Sequence, residues 1–270
     1  MTSILVIGAG RMAEAIISGL VSNEKNIFSP ITVSNVSNKD RLIRLKNTYG
    51  VHVTQDAISE VISHDVILLA TPPDVHDHLL AQLKEVVDHQ LVLTVAAGID
   101  PAYIEARLNT KTPVAWIMPN TAAGIGQSMS TFTCGKYVEN HHRTIIDYIL
   151  SSIGESEELT AEKVHDLTAI TGSAPAFLYA FALGLEEAAV TYGISSKQAR
   201  KLVTQMLKGS VSMLEHSGEP QLLMDQVASP GGSTAEGLVV LNEQGFSSTL
   251  KDAVKATNNH ARNHNQKESR

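Results

Sequence analysis

One cysteine, Cys134, stands in 270 residues, so no disulfide can form within the chain and a reducing compartment suits it. It reads as a small apolar residue under cover. Long apolar runs are missing: each is interrupted well short of a membrane span. A basic leader is missing too, because Met1 leads straight into a strand pattern, and a cytoplasmic protein without a membrane partner is expected. Positive charge is in deficit, with 21 Lys+Arg against 28 Asp+Glu and a net charge of -7. That balance speaks against nucleic acid or a polyanionic membrane as a partner. Metal-ligand spacing is absent as well. The eleven histidines form no HExxH and no Cys/His cluster, and neither His76 and His78 nor His141 and His142 share a helix face, so no metal is expected. What remains is a soluble chain, 43% hydrophobic, with room for one large or two ordinary domains.

The opening is the most informative stretch. Ile4 to Ile7 is a short, β-branched apolar run and predicts a buried strand. Gly8-Ala9-Gly10-Arg11-Met12-Ala13 follows in the form GxGxxA, and Ala9, Met12, Ala13, Ile16, Ile17 and Leu20 then recur near helical spacing. Strand, glycine turn and helix in that order make a dinucleotide fingerprint. Gly8 allows the tight turn, Gly10 lets the backbone approach a pyrophosphate, and Ala13 lets helix and strand pack closely. The helix N-terminus, with Arg11 and Met12 in its first turn, would hold the diphosphate.

Cofactor type is read at the end of the second strand, Ile31 to Asn35, where NAD sites usually place an acidic residue. This chain has Ser34, Asn35, Ser37, Asn38 and Lys39, with Arg41 and Arg44 nearby. No carboxylate repels a 2′-phosphate there, which favours NADPH, with NADH as the alternative. Asn38 and Asp40 equally suit a plain helix start over Leu42, Ile43 and Leu45, and both readings can hold. A short strand at Val51 to Val53 and a helix at Ala57 to Ile62 follow. The fourth strand, Asp65 to Ala70, is broken by Thr71-Pro72-Pro73, which puts Ala70, Thr71 and Pro72 at the carboxyl end of the sheet, beside the cofactor. A helix from Asp74 to near Val87, a strand at Leu91 to Val95, the turn Ala96-Ala97-Gly98 and a helix from Pro101 come next. A strand at Pro113 to Met118 ends at Pro119-Asn120-Thr121, a last strand covers Ser128 to Thr133, and a helix covers Arg143 to Ile153. Residues 1–157 thus read as an N-terminal Rossmann-like α/β domain, a doubly wound and mainly parallel sheet.

Residues 158–270 read as an all-α domain. Ala176 to Leu185 is apolar on nearly all sides, which marks a helix buried in a core or an interface. Ser195-Ser-Lys-Gln198 is a capping box before the helix carrying Ala199, Leu202, Val203, Met206 and Leu207. So much apolar surface suits dimerisation as well as a core, and the polar tail, Thr257 to Arg270, is expected to be mobile at its end. Pro230-Gly231-Gly232 ends one helix, and Ser233 to Glu236 has capping-box spacing for the next. Such a glycine-flanked helix start either binds a small carboxylate or phosphate or is an ordinary turn capped by Ser233.

Asp225, Val227, Ser229, Pro230, Gly231, Gly232, Thr234, Gly237 and Leu238 match the signature of the pyrroline-5-carboxylate reductase family, roughly D-x-V-x-S-P-G-G-x-T-x-x-G-L. The resemblance covers almost the whole chain. The opening resembles that family's G-x-G-N-M-A-x-A-I-x-x-G. Ala96-Ala97-Gly98-Ile99 resembles its A-A-G-I, Met118-Pro119-Asn120-Thr121 its M-P-N-T, and Thr171 to Phe177 its T-G-S-G-P-A-F. Five motifs in family order are far more specific than any one of them.

The resemblance implies NADPH-dependent reduction of (S)-1-pyrroline-5-carboxylate to L-proline, in a homodimer or a larger homo-oligomer built from dimers. It implies that the N–H groups of Gly232, Ser233 and Thr234 hold the substrate carboxylate and that the Thr234 hydroxyl hydrogen-bonds the ring nitrogen. Asn120 and Thr121 would lie near the nicotinamide, with Ala96, Ala97 and Pro175 as close walls. The chain departs from the family in places. Trp116 stands where Arg is usual, Thr71 where Lys is, Arg11 replaces the Asn of G-x-G-N-M, Val36 a common Arg, and Ala122 the Pro after M-P-N-T. These departures leave open a paralogue acting on another cyclic imine, or a cofactor-binding regulatory protein without turnover. A 3-hydroxyacid dehydrogenase would carry a lysine in the helix Ala176 to Ala189, which has none.

Overall fold

The sheet is built outward from β1 (Thr2–Ile7), the apolar run at the start of the chain. In the computed structural model, residues 1–23, 27–109 and 111–268 are described, with side chains as far as residue 260. β2 (Phe28–Ser34), β3 (His52–Thr54), β4 (Val66–Leu69), β5 (Leu91–Thr94), β6 (Val114–Met118), β7 (Ser128–Cys134) and β8 (Gly154–Glu158) join β1 in the order β3-β2-β1-β4-β5-β6-β7-β8. The pairs among β1 to β6 are parallel, β7 runs antiparallel to β6, and β8 parallel to β7. After β1 the chain builds to one side as far as β3, then crosses to β4 and builds to the other. The switch point lies between the carboxyl ends of β1 and β4, where open α/β sheets bind ligands.

Helices α1 (Arg11–Ser22), α2 (Lys39–Tyr49), α3 (Ala57–Glu60), α4 (His76–Leu83), α5 (Pro101–Glu105), α6 (Asn140–Ile153) and α7 (Ala161–Thr168) belong to this half. Ile16, Ile17 and Leu20 of α1, with Ile146, Ile149 and Ile153 of α6, share a core with Ile4, Val6, Val66 and Leu68. Leu80 and Leu83 of α4, with Val61 and Ile104, share a second core with Leu5, Ile7, Ile67 and Leu69. Successive residues of β1 and β4 therefore feed opposite faces, and both faces are covered, which is why these strands show no polar alternation.

Strand β8 was not expected. Gly154, Glu155, Ser156, Glu157 and Glu158 carry no apolar signal, and only pairing with β7 makes them a strand. At the edge of a sheet such charge discourages pairing with another chain.

The chain divides into two compact units, Met1–Ser173 with Thr257–Arg270, and Ala174–Ala256. The first unit runs past the break expected after residue 157. In it Val164 of α7 is buried with Trp116 and Met118, and Asn258 donates from Nδ2 to the Asp166 carbonyl at 2.7 Å. The end of the polar tail, Ser269 and Arg270, lies outside the described residues.

The second unit is helical, as expected: α8 (Ala174–Thr191), α9 (Ser196–Ser217), α10 (Pro220–Val227), α11 (Ser233–Glu243) and the beginning of α12 (Phe246–Glu268). The predicted capping box is present, with Gln198 N–H donating to Ser195 Oγ at 3.3 Å and Ser195 N–H to Gln198 Oε1 at 3.0 Å. Among residues 174–256, only Ala199 and Val203 are buried. Helix α8, expected in a core or an interface, leaves Leu178 47% and Leu183 54% exposed, so the chain supplies no core for it. Residues 161–191 are helical throughout, with a π turn at Ala169–Ser173, and by length and composition alone the run would cross a membrane. Its apolar residues are spread over segments that each look too short, so the sequence did not foretell it.

Candidate active site

The expected site residues fall in both units, and each group takes its geometry from its own unit. Gly8, at the carboxyl end of β1, has φ +112°, and a Cβ there would lie 2.5 Å from the carbonyl oxygen of Ala70. Its N–H donates to Ser34 O at 2.9 Å, and Ala70 N–H donates to Ile7 O at 2.8 Å. Gly8, Ser34, Ala70 and Thr71 thus meet at the switch point. Gly10 is different. Its φ of -71° suits any residue, and a Cβ would meet nothing within 4 Å. No protein atom demands glycine there, so the demand comes from what approaches from outside. Gly10 is also the N-cap of α1, with no side chain bonded to the helix end. The first-turn N–H groups of Arg11 and Met12 are left for an anion.

Ala9 is buried behind this turn, and Arg41 braces it. Arg41 Nε donates to Ala9 O at 2.8 Å, while Nη2 reaches Gly10 O at 3.4 Å and Glu14 Oε2 at 2.5 Å. Arg44 Nη2 donates to the same Glu14 at 2.8 Å. Both arginines are therefore engaged by the fold. Arg41's role escaped the sequence because its partners are mostly backbone carbonyls. The loop after β2 folds on Asn35, whose Oδ1 accepts from Ser37 N–H at 3.0 Å, Ser37 Oγ at 3.3 Å and Asn38 N–H at 2.9 Å. Ser34 is buried as the last residue of β2, so it and Asn35 shape the loop, while Lys39, exposed at the start of α2, presents its charge.

Beyond β4, Thr71 Oγ1 is buried with no hydrogen-bond partner, and Pro72 is exposed. Beyond β5, Ala96 N–H donates to Thr94 Oγ1 at 3.1 Å and Ala96 O accepts from Trp116 Nε1 at 2.9 Å, while Ala97 is exposed. Trp116 is fully buried and packs on His165 with ring centroids 4.5 Å apart. His165 Nε2 lies 3.5 Å from Asp100 Oδ2, and that hydrogen bond holds the Asp100 carboxyl below its ordinary pKa, against the opposing effect of burial. Trp116 is thus a packing residue that pins the Ala96 turn. Burial pushes the half-buried Cys134 thiol up to about 11, which leaves it unreactive.

Asn120 spends its amide on the protein. Oδ1 accepts from Ala122 N–H at 2.9 Å, and Nδ2 donates to Thr171 O at 3.0 Å. Thr171 lies in the π turn, and Pro175, four residues on, has no N–H to give it an α-helical bond. Asn120 therefore shapes the Thr171-Gly172-Ser173 turn.

In the second unit, Pro175 is the second residue of α8 and half-buried. Gly231 has φ +73°, which sends Gly232 into extended backbone and starts α11 at Ser233. The capping box expected between Ser233 and Glu236 does not form, because the cap falls one residue earlier on Gly232, which has no side chain to bond the helix end. Of the three N–H groups expected to hold a carboxylate, that of Gly232 is used by Ser229 O at 2.9 Å. Those of Ser233 and Thr234 remain, on exposed residues. Thr234 also lines a groove of about 600 Å³ with Met206, Met213, Leu223 and Leu238.

The first group fits a dinucleotide: an uncapped 12-residue helix, a cleared approach over Gly10 and an unpartnered hydroxyl on Thr71. The second group offers backbone donors and a threonine hydroxyl to a small anion.

Residues 161–264 match the family model for pyrroline-5-carboxylate reductase dimerisation, and residues 3–98 match that of coenzyme F420-dependent NADP oxidoreductases. The chain is 35% identical over 251 residues to pyrroline-5-carboxylate reductase 1 of Bacillus subtilis, covering 92% of this chain and 84% of that one. It is 32% identical over 259 residues to the second such reductase of B. subtilis, covering 95% and 93%. Among solved structures, pyrroline carboxylate reductase of Plasmodium falciparum with NADP bound superposes with a TM-score of 0.87 at 27% identity, covering 96% of this chain and 97% of that one. The reductase of Streptococcus pyogenes does so with 0.87 at 28% identity, with the same coverage. A glycine turn built for a dinucleotide, an uncapped helix at the signature and relatives matched over nearly their full length agree: the chain belongs to the pyrroline-5-carboxylate reductase family.

Proposed function

We propose that this protein reduces (S)-1-pyrroline-5-carboxylate to L-proline with NADPH. One observation carries the reading: two helices, α1 and α11, begin on glycines without a side-chain cap, one at a dinucleotide fingerprint and the other at the family signature. Bound NADPH supplies the hydride that reaches the imine carbon while the ring nitrogen gains a proton. The chain's own residues bind and orient. Arg11 and Met12 N–H groups hold the diphosphate, and Lys39 favours the 2′-phosphate. Thr71, Ala96 and Ala97 shape the cofactor's surroundings. Ser233 and Thr234 N–H groups hold the substrate carboxylate at the α11 N-terminus. The Thr234 hydroxyl orients the ring nitrogen through a hydrogen bond; its high pKa makes it a donor that guides the proton rather than a strong acid.

The active form is a homodimer, or an oligomer built from dimers. A helical unit with two buried residues lacks a core, and a second copy covering α8 would supply one. The exposed apolar side chains of α8 belong to that interface, not to a bilayer, while Val164 earlier in the same run is buried with Trp116 and Met118. A lone, half-buried thiol suits the cytoplasm.

The test is steady-state oxidation of NADPH and then NADH with pyrroline-5-carboxylate, with proline followed as product. Turnover with NADPH preferred is expected. A preference for NADH keeps the reaction and removes Lys39 from phosphate recognition. Binding without turnover overturns the reaction.

A further inference from the structure

His76 is the first residue of α4 and is fully buried. Leu80 and Leu83 show that apolar side chains suffice to pack this helix on the sheet. A buried imidazole costs free energy unless both ring nitrogens are satisfied, so its partners explain its presence. Nδ1 lies 3.0 Å from Pro72 O, and Nε2 lies 3.4 Å from Thr94 Oγ1. Thr94, also fully buried, accepts from Ala96 N–H through the same oxygen. The protons order in one direction. Ala96 N–H donates to Thr94 Oγ1, Thr94 donates its hydroxyl proton to His76 Nε2, and His76 Nδ1–H donates to Pro72 O. The order requires a neutral ring, and burial pushes the His76 pKa down against the weaker opposing effects of the Pro72 and Pro73 carbonyls and then of the Asp74 and Asp77 carboxylates. Both ends of this chain lie in loops at the carboxyl edge of the sheet.

We infer that His76 is a positioning residue for the dinucleotide: it ties the Thr71–Pro72 loop to the Ala96–Ala97 turn and so sets the width of the cleft that the cofactor enters. This rests on the dinucleotide reading given under the proposed function. Trp116 completes the device by holding Ala96 O at 2.9 Å, so both polar groups of the Ala96 residue are fixed from buried side chains.

The experiment is calorimetric titration of NADP+ into the wild type, His76→Leu, His76→Gln and Thr94→Val, with thermal unfolding and KM values measured beside it. His76→Leu should weaken NADP+ binding about 10-fold, equivalent to about 1.4 kcal/mol, while KM for pyrroline-5-carboxylate stays within about twofold. His76→Gln, which keeps a donor and an acceptor on one planar group, should recover most of the affinity. Thr94→Val should weaken binding as His76→Leu does, and the double variant should be no weaker than His76→Leu alone, because both cut one chain. A wild type that binds NADP+ and a His76→Leu protein that binds it equally well overturn the inference and leave the dinucleotide reading standing. A wild type that fails to bind NADP+ overturns both. If His76→Leu does not fold, Thr94→Val decides, and undiminished binding by it overturns the inference.

Discussion

Gly8 and Gly10 belong to one motif, yet replacing them should break different things. At Gly8 the φ of +112° is left-handed backbone, and any side chain there costs about 1–2 kcal/mol. The Cβ would also sit 2.5 Å from Ala70 O, a backbone atom that cannot swing away, and overpacking of that kind adds about 1–3 kcal/mol. Gly8→Ala should therefore lose about 2–5 kcal/mol, which at ~2–4 °C per kcal/mol for a chain of this size is a fall of roughly 5–20 °C in Tm. At Gly10 the φ of -71° is ordinary and the Cβ direction is open. Gly10→Val changes only the preference at a helix cap, worth less than ~1 kcal/mol and so no more than about 4 °C. The valine methyls, however, stand where a diphosphate must approach the α1 N–H groups. Losing one charge-assisted hydrogen bond, about 1.5–3 kcal/mol, weakens NADP+ binding roughly 10- to 150-fold. Scanning calorimetry of both variants and NADP+ titration below their transitions separate the two effects. A Gly10→Val protein that melts as early as Gly8→Ala, or that binds NADP+ as the wild type does, refutes the division of labour.

The other expectations are briefer. Thr234→Ala should lower kcat by more than about 10-fold with NADP+ affinity unchanged, since the proposed function gives the hydroxyl a role toward the substrate and none toward the cofactor; equal kcat removes Thr234 from the mechanism. Leu178→Glu places a charge on the bare face of α8 and should shift gel-filtration elution to the monomer, with activity lost in parallel; unchanged elution means that this face is not the interface. Asp100 is held below its ordinary value of 3.8 chiefly by the His165 hydrogen bond. A carboxyl with a depressed folded pKa contributes stability in full above the unfolded value, and loses it as pH falls through the folded one. Asp100→Asn should therefore be less stable at neutral pH yet lose less on acidification below 3.8; denaturation curves that shift in parallel with the wild type would contradict this.

What could be read from the sequence was whatever leaves a pattern in side chains. The β1 strand declared itself because burial on both faces leaves an unbroken apolar run, and Gly8 because only glycine suits its backbone. β8 was invisible because its pairing uses backbone atoms alone and its side chains are acidic. The compact units part after Ser173 rather than near residue 157 because Val164, in α7, packs with Trp116 and Met118, and helical spacing does not say which core a residue serves. Ser233 is the better N-cap by side-chain chemistry, yet the left-handed Gly231 moves the helix start by one residue. Arg41 and His76 were missed for a shared reason: they act on carbonyls of Ala9, Gly10 and Pro72, and a backbone acceptor has no letter in the sequence.

The second unit sharpens what the signature means. Ordering each residue costs about 1–2 kcal/mol of backbone entropy, and burying a full apolar side chain returns about 1.5–3 kcal/mol. Residues 174–256 bury only Ala199 and Val203, so this unit cannot meet the cost of its own order from within. The missing apolar contact must come from another surface, and the exposed Leu178, Leu183, Val227 and Val240 are the side chains available to make it. The N–H groups of Ser233 and Thr234 are carried by that same unit. On the proposed function, substrate recognition would stand on elements whose order depends on assembly, and dilution should erode activity before it disturbs the dinucleotide fingerprint, which has two cores beneath it.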